Sequence, residues 1–256
     1  VLGCPVWHPI LETCYGSAEL RTLEPIFAEI ERHRNACTRV RHMPLLLHRL
    51  SPALREHRQK YLSALESIYT AIRQVTGCQV IVDASKLPAY ASVLLGSQKL
   101  DTRFVFLVRD SRATAFSWRR RKSTAVGNRL FTTAQYSLPA SAKEWLITNW
   151  AADCLTRHIP PERLLRVRYE DLMQQPEQML REISRLAGLD ENSLPLESPQ
   201  QARLSTAHII AGNQNRFQIG LITLRPDEEW RAAMQAADQR LVTLLTWPLL
   251  RRYKYL

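Results

Sequence analysis

The sequence predicts a helix-rich α/β fold in which helices flank a central parallel sheet. Two apolar runs, Gln79–Val82 and Arg103–Val108, are short and rich in β-branched or aromatic residues, and both stop at polar residues. Continuous runs of this kind are typical of strands buried on both faces, as in a parallel sheet. The 256 residues, 45% of them hydrophobic, are enough for one substantial domain, so we expect residues 1–256 to form a single domain.

The first third of the chain predicts helices. Apolar residues recur at helical spacing over residues 20–30 and 54–72, and Pro52 suits a first helical turn. We therefore expect residues 8–75 to be a helical region. This region holds His33, His42, His48 and His57, none with a histidine four residues further on, so we predict no metal site.

Polar residues gather where the two predicted strands end. Asp83, Ser85 and Lys86 follow the first strand, and Arg109 and Arg112 follow the second. Ligands of open α/β sheets bind beyond the carboxyl ends of the strands, so these side chains should converge on one crevice. Three cations, a hydroxyl and a carboxylate there indicate a ligand that carries phosphate or sulfate.

Arg109 and Ser117 form the most informative pair of this crevice. Arg109 lies at the strand end and Ser117 about two turns into the next helix, for which Ser111 can act as N-cap. A guanidinium fork and a hydroxyl so placed can clamp one phosphate. The alternative is that Arg109 pairs with Asp110 or a surface carboxylate and Ser117 only packs.

The second half of the chain predicts a lid, two helices and a third strand. Residues 123–141 have the composition of a substrate-contacting loop, and a helix is expected over residues 139–158. A strand over Arg163–Tyr169 would point Tyr169 into the crevice, unless that ring merely packs. A helix over Gln178–Leu189 should end at Gly188.

Charge and cysteine content narrow the class of protein. A net charge of +11 predicts attraction to anions, whether nucleotides, nucleic acid, acidic lipids or sulfated and phosphorylated compounds. No apolar run approaches the roughly 20 residues that span a bilayer. Five scattered cysteines without CxxC spacing favour reduced thiols in a cytoplasmic protein.

VDASKLP and FVFLVRDSRATAFSW resemble the core of the sulfotransferase family that uses 3′-phosphoadenosine 5′-phosphosulfate (PAPS), in its bacterial-type form. That core runs strand, D-x-S-K, helix, strand, R-D-P-R-A and then S-W, and Ser111 stands where the family usually has Pro. The likeness extends over roughly residues 78–256. Its further segments are Asn149-Trp150, Arg168–Leu172 followed by Pro176, Ala211–Asn213 with Arg216-Phe217, Asp227–Trp230, and Pro248–Tyr253.

The resemblance implies a fold, a reaction and the roles of several residues. The fold would be the three-layer, P-loop-NTPase-like one, and the reaction would move a sulfuryl group from PAPS to a hydroxyl or amine without a metal. The acceptor would be a small molecule, a lipid or a carbohydrate rather than a nucleic acid, with residues 8–75 on the acceptor side. The residues that the resemblance assigns to cofactor binding are Arg109 and Ser117 at the 3′-phosphate, Tyr169 by the adenine, and Ser85, Asn213 and Arg216.

Lys86 and Asp83 are the candidate catalytic residues. Sulfuryl transfer needs charge stabilisation on the leaving phosphate and a base for the acceptor, by analogy with phosphoryl transfer. Lys86 is the candidate cation and hydrogen-bond donor. Asp83 could be the base, could orient Lys86, or could be structural as the cap of a helix that starts near Ser85.

The sequence contains no glycine-rich turn that could cradle the 5′-phosphosulfate. Val1–Trp7 resembles an interior loop of the family, so we expect a fragment that lacks the first strand and this loop, with the base possible upstream. Two alternatives follow, another P-loop-type enzyme such as a small kinase, or a catalytically incomplete sulfotransferase-like binding protein. A nucleic-acid module is disfavoured because Arg and Lys are spread along the chain.

Overall fold

The computed structural model describes residues 2–39, 51–120, 123–126, 129–132, 135–205, 208 and 218–256. Its contacts divide the chain into two compact units. The first unit comprises Val1–Thr102 with Ala207–Gly212, and the second comprises Arg103–Thr206 with Asn213–Leu256. In the described residues, no helix is both long enough and apolar enough to cross a membrane.

The first unit is built from helices, as the apolar spacing predicts. They are α1 (Trp7–Tyr15), α2 (Leu20–Cys37), α3 (Pro52–Thr76) and α4 (Pro88–Leu94). The Ser51 hydroxyl caps α3 by accepting the Leu54 N–H at 3.3 Å, and Gly77 ends it at φ 67°, a backbone angle that glycine adopts readily. Apolar residues of α2, α3 and α4 form one buried cluster, which includes Cys37, Tyr61 and Val93.

The predicted strand over Gln79–Val82 is wrong, because the structure has no strand there. Ile81 is 36% exposed and Val82 is 87% exposed. A β-branched run becomes a strand only when a neighbouring strand satisfies its backbone, and the described residues provide none for it. The following helix begins at Pro88 rather than near Ser85.

The second unit contains the predicted parallel sheet in a small form. Its elements in chain order are β1 (Phe104–Val108), α5 (Ser111–Arg119), β2 (Ser123–Val126), β3 (Arg129–Thr132), α6 (Leu138–Thr156), β4 (Leu164–Arg168), α7 (Tyr169–Gln174), α8 (Pro176–Ala187), β5 (Leu196–Ser198), β6 (Gln201–Leu204), β7 (Gly220–Thr223), α9 (Glu229–Ala233) and α10 (Ala236–Arg252). Strands β1 and β4 pair in parallel, with Val108 opposite Arg168. Their carboxyl ends therefore lie side by side.

Strand β1 is covered on one face only, although the sequence predicts burial on both. Phe106 and Val108 pack against Trp145 of α6 and against α10. On the other face Val105 is 42% exposed and Leu107 is 48% exposed. Helices α6 and α10 lie in long contact with each other and supply the buried side, so the core of this unit lies there.

Two antiparallel sheets of the second unit were not predicted. Strands β2 and β3 form a hairpin within residues 123–141, where the sequence indicates a loop, and α6 begins within the same stretch at Leu138. Strands β5, β6 and β7 form a three-stranded sheet. These strands have only three or four residues each and many polar side chains, so their periodicity is too weak to detect.

Two predicted helices of this unit are confirmed within two residues at each end. Helix α6 covers Leu138–Thr156, and helix α8 covers Pro176–Ala187. Gly188 ends α8 at φ 71°, as predicted. The third predicted strand is confirmed as β4, but Tyr169 is the first residue of α7 rather than the last of the strand.

Candidate functional site

Arg109 follows β1 directly and lies over the first residue of α7. Its guanidinium carbon is 4.7 Å from the centre of the Tyr169 ring, and its Nη2 donates to Asp227 Oδ2 at 2.8 Å. The Trp145 indole N–H holds the Arg109 carbonyl at 2.9 Å, which fixes the backbone at the strand end. Burial raises the pKa of Tyr169 even though the Arg109 charge opposes this shift, so its phenol stays neutral against the cation.

Arg168 is a second cation at the same edge, and the sequence analysis did not single it out as a site residue. It pairs with Val108 across the sheet, so it lies beside the residue that precedes Arg109. Its guanidinium carbon is 4.4 Å from the centre of the Tyr255 ring. The signal that could have found it is its position, because it is a cation at the last residue of a parallel strand.

Both arginines keep an unused buried donor. In the described part of the chain, four buried side-chain nitrogen or oxygen atoms lack a hydrogen-bond partner, and Arg109 Nε and Arg168 Nε are two of them. A buried donor without an acceptor costs free energy, so each of these N–H groups calls for a partner such as a water molecule or an anion. Two adjacent strand ends therefore offer N–H groups that an anion could accept from.

Asp110, not Ser111, caps helix α5, which corrects the predicted N-cap. The Asp110 carboxylate accepts the Arg112 backbone N–H at 2.8 Å and also pairs with the Arg112 guanidinium at 2.6 Å. Ser111 is the first helical residue, and its hydroxyl bonds to Thr246 at 2.7 Å. Arg112 thus forms an ion pair with Asp110, so its role at this edge of the sheet is structural.

Glu170 links the residues that follow β1 to the last residues of the chain by hydrogen bonds. Its carboxylate accepts the Asp110 N–H at 3.1 Å and the Tyr255 hydroxyl at 2.5 Å. Burial raises the pKa of Tyr255, and the hydrogen bond to Glu170 adds to this effect. These contacts fix the backbone from which Arg109 projects.

Ser117 lies on α5, half-buried, six residues after the helix begins. Six residues correspond to about 9 Å along a helix axis. Trp118 next to it contacts Tyr136 with tilted rings, whose centres are 5.3 Å apart. The role of Ser117 at a phosphate stays a prediction.

Asp83 lies at the centre of a hydrogen-bonded cluster in the first unit. Its Oδ2 accepts the hydroxyls of Tyr69 of α3 and Tyr90 of α4, the latter at 2.6 Å, and its Oδ1 accepts the Ser85 N–H at 2.7 Å. Burial raises the pKa of Asp83, but the hydrogen bonds from Ser85, Tyr69 and Tyr90 outweigh it, so the pKa is lowered overall. Such a carboxylate binds a proton weakly, which weakens the case for Asp83 as a base and favours the orienting and structural alternatives.

The predicted site residues fall in both units. Asp83, Ser85 and Lys86 belong to the first unit, where Lys86 is exposed three residues after Asp83. Arg109, Ser117 and Tyr169 belong to the second unit. Asn213 and Arg216 lie outside the described residues, as do His42 and His48.

A thiol and an imidazole meet in the first unit, and the sequence analysis missed this pair. Cys4 Sγ lies 3.1 Å from His208 Nδ1, and the Trp7 indole N–H donates to the His208 carbonyl at 2.6 Å. Backbone N–H groups of Trp7 and Val6 lower the pKa of Cys4. The two residues are 204 positions apart, so no local pattern could connect them.

These features define a helix-rich α/β protein with two arginines, Arg109 and Arg168, at one edge of a small parallel sheet. The chain belongs to the sulfotransferase family, since a model of that family matches residues 16–193, well over half of its length. The matched range includes Asp83, Arg109, Ser117 and Tyr169. No curated protein and no solved structure matches the chain significantly.

Proposed function

We propose that this protein transfers a sulfuryl group from PAPS to a hydroxyl or amine of a small-molecule, lipid or carbohydrate acceptor. Membership of the sulfotransferase family supports the reaction class. The identity of the donor and the type of acceptor are the parts that we propose.

The observation that carries the proposal is the state of Arg109. It is a cation at the carboxyl end of a parallel strand, it is stacked on Tyr169, and its buried Nε has no partner in the described part of the chain. A phosphate could accept from this Nε, since charge-assisted bonds between guanidinium and phosphate are among the strongest in proteins. The 3′-phosphate of the donor is the group that we assign to Arg109, with Ser117 as the hydroxyl partner and Tyr169 beside the adenine.

Lys86 is the residue that we assign to the transferring group. When bound, the donor supplies the activated sulfuryl group, and a nearby cation stabilises the charge that develops on the leaving phosphate. Lys86 is exposed and therefore accessible to a ligand. Asp83, held by Tyr69 and Tyr90, fixes the backbone from which Lys86 projects, so we assign it a positioning role.

The test is a calorimetric cycle of two ligands and two proteins, without added metal. Adenosine 3′,5′-bisphosphate and adenosine 5′-phosphate differ only in the 3′-phosphate. Wild type should bind the bisphosphate at least about tenfold more tightly, because truncating one partner of a buried charge pair costs about 2–5 kcal/mol. In Arg109→Ala this preference should disappear while the weaker nucleotide still binds.

Arg103→Ala is the matched control, because Arg103 precedes the same strand at its opposite end and donates to the Leu186 carbonyl. This variant should keep the preference for the bisphosphate. A folded wild type that binds both nucleotides equally would contradict the proposal. Binding of magnesium nucleoside triphosphate alone would favour the kinase-like alternative, and bisphosphate binding without transfer to any acceptor would favour the incomplete, binding-only alternative.

A further inference from the structure

Helix α10 exposes an apolar stripe on the side that faces away from the second unit's core. Leu241, Leu244 and Leu245 are 39%, 71% and 41% exposed. Together with exposed Pro248 they fall at positions i, i+3, i+4 and i+7, which is one face of a helix. Trp247 borders this stripe and is 48% exposed.

The opposite side of α10 is already used by the fold. Its buried residues are Val242, Thr246, Leu249 and Leu250. The helix is therefore apolar on two sides, although only one packs within its unit. Exposed apolar side chains that form one contiguous face of a helix commonly mark an interaction surface, so the outer stripe is a candidate for one.

Cations border one edge of the stripe. Exposed Arg240 and Arg251 lie close together in helical projection, between Trp247 and Leu244. Arg252, which falls between Leu241 and Leu245 in the same projection, pairs with Asp153 at 2.5 Å. The only carboxylate in α10 is Asp238, which lies next to Leu245 at the other edge of the stripe and pairs with Arg119 at 2.6 Å. The outer face thus combines leucines with a tryptophan and arginines at one edge, and the acid at its other edge is already paired.

These side chains favour an anionic lipid surface over a second copy of the chain as the partner of the stripe. A second copy of the chain packed on the same stripe would double the number of arginines at the interface, whereas Asp238, the carboxylate at its edge, already pairs with Arg119. An anionic lipid surface offers both an apolar layer for the leucines and negative charge for the arginines. Tryptophan is also enriched at the boundary between lipid and water.

We propose that the outer face of α10, defined by Leu241, Leu244, Leu245, Trp247 and Pro248, docks on the surface of an anionic membrane. The helix lies in the plane of the headgroups, with its inner side still packed on α6. The net charge of +11 strengthens the approach to such a surface. This inference does not depend on the sulfuryl-transfer chemistry.

The experiment is vesicle flotation of the full chain. One vesicle set contains phosphatidylcholine only, and the other contains roughly 30% phosphatidylglycerol, which gives a negative surface. We expect the chain to float with the anionic set, to stay largely unbound with the neutral set, and to be released by salt. The double variant Leu244→Ser with Trp247→Ser should lower the partition coefficient between vesicle and water about tenfold or more through lost apolar contact.

The double variant Arg240→Gln with Arg251→Gln should lower this partition coefficient about tenfold or more on anionic vesicles only.

Matched controls place the same changes elsewhere on the surface. Leu20→Ser removes another exposed leucine, at 59% exposure, and Arg21→Gln with Arg55→Gln removes two other exposed arginines. Circular dichroism confirms that each variant is folded. The proposal is overturned if the folded wild type does not bind anionic vesicles, or if the α10 variants bind as well as the controls. It is also overturned if sedimentation velocity shows a dimer that the Leu244→Ser change dissolves while vesicle binding is absent.

Discussion

Arg109 lies between an aromatic ring and a carboxylate, and these two contacts determine how readily its guanidinium can bind a phosphate. Stacking on Tyr169 orients the guanidinium plane, whereas Asp227 neutralises one of its ends. The side chains of Arg109 and Asp227 are 25% and 32% exposed, so water partly screens the ion pair. An incoming phosphate would have to share Arg109 with Asp227 or displace it.

Asp227→Asn should therefore strengthen binding of adenosine 3′,5′-bisphosphate. The substitution removes a negative charge beside the proposed phosphate position, and we expect the Kd to fall about threefold to tenfold. Calorimetry at fixed salt measures the change. Asp238→Asn, which removes a carboxylate paired with Arg119 instead, should leave the Kd unchanged. Weaker binding by Asp227→Asn would show that this carboxylate positions Arg109 rather than competes for it.

Cys4 should react faster with alkylating reagents than Cys14 and Cys37 of the first unit. Its pKa is lowered by backbone N–H groups of Trp7 and Val6, whereas burial raises the pKa of Cys14 and raises that of Cys37 to about 11. Because the thiolate is the nucleophile, Cys4 should react with iodoacetamide about tenfold faster than Cys14 or Cys37 near neutral pH. Timed alkylation followed by peptide mass spectrometry gives each rate.

His208→Gln removes the imidazole that lies beside the Cys4 thiol. The pH at which Cys4 alkylation reaches half its maximal rate should then stay below the value of the unfolded chain in urea, because backbone N–H groups of Trp7 and Val6, not the imidazole, lower the pKa of Cys4. If Cys4 in the folded wild type titrates at the same pH as Cys4 in the unfolded chain, the prediction of a lowered pKa is wrong.

At the scale of elements, the segment that carries Asp83 and Lys86 is fixed by two helices rather than by a sheet. Tyr69 of α3 and Tyr90 of α4 both bond Asp83, and their hydroxyls lie 2.6 Å apart. Burial raises the pKa of both tyrosines, with Asp83 adding to the shift, so both keep their protons at neutral pH. The segment is thereby anchored although it has no strand partner in the described residues.

Tyr90→Phe should loosen this anchor and lower the free energy of unfolding by about 1–2 kcal/mol at neutral pH, the usual value for a hydrogen bond to a partly buried charge. The folded-state pKa of Asp83 lies below its ordinary value, so its ionised form stabilises the fold at neutral pH. This contribution is complete above the unfolded-state pKa of about 3.9 and is lost as pH falls through the lower folded-state pKa. The difference between the two proteins should therefore shrink below about pH 4. Urea unfolding across this pH range measures it.

Tyr61→Phe is the matched control for this measurement. Tyr61 lies in α3 within the same buried cluster, and burial raises its pKa to about 12, but it is not a donor to Asp83. Its variant should show little pH dependence relative to wild type. An equal pH dependence in both variants would mean that Asp83 does not depend on the Tyr90 hydroxyl.

At the scale of the whole molecule, the net charge of +11 acts on every anionic ligand. Salt screens such long-range attraction, with a Debye length of about 10 Å at 0.1 M. Bisphosphate binding should therefore weaken several-fold between about 50 and about 300 mM salt, while the remaining affinity reflects the local contacts at Arg109. Calorimetry across this series tests the claim. If the affinity for the bisphosphate did not change with salt concentration, the overall positive charge of the protein would contribute nothing to binding.

The sequence indicated much of this fold where the signal is local. Strand β1 follows from an apolar run, β4 from alternating apolar and charged residues, helices α2 and α3 from helical spacing, and the end of α8 from one glycine. The N-cap of α5 was missed, because Asp110 gains a second interaction with the Arg112 guanidinium that Ser111 could not make. The strand over Gln79–Val82 was wrongly predicted, because its formation depends on a distant partner.

The sequence by itself determined the helix-rich α/β class, the positive charge, the family resemblance and the position of Arg109 at a strand end. Each of these depends on residue type or on spacing within a few turns of chain. The tertiary structure decided the rest: that Arg168 lies beside the Arg109 edge, that Asp227 pairs with Arg109, that two tyrosines donate to Asp83, and that α10 leaves an apolar face exposed. The physical reason is that these contacts join residues far apart in the chain, and only folding determines which distant groups share a surface.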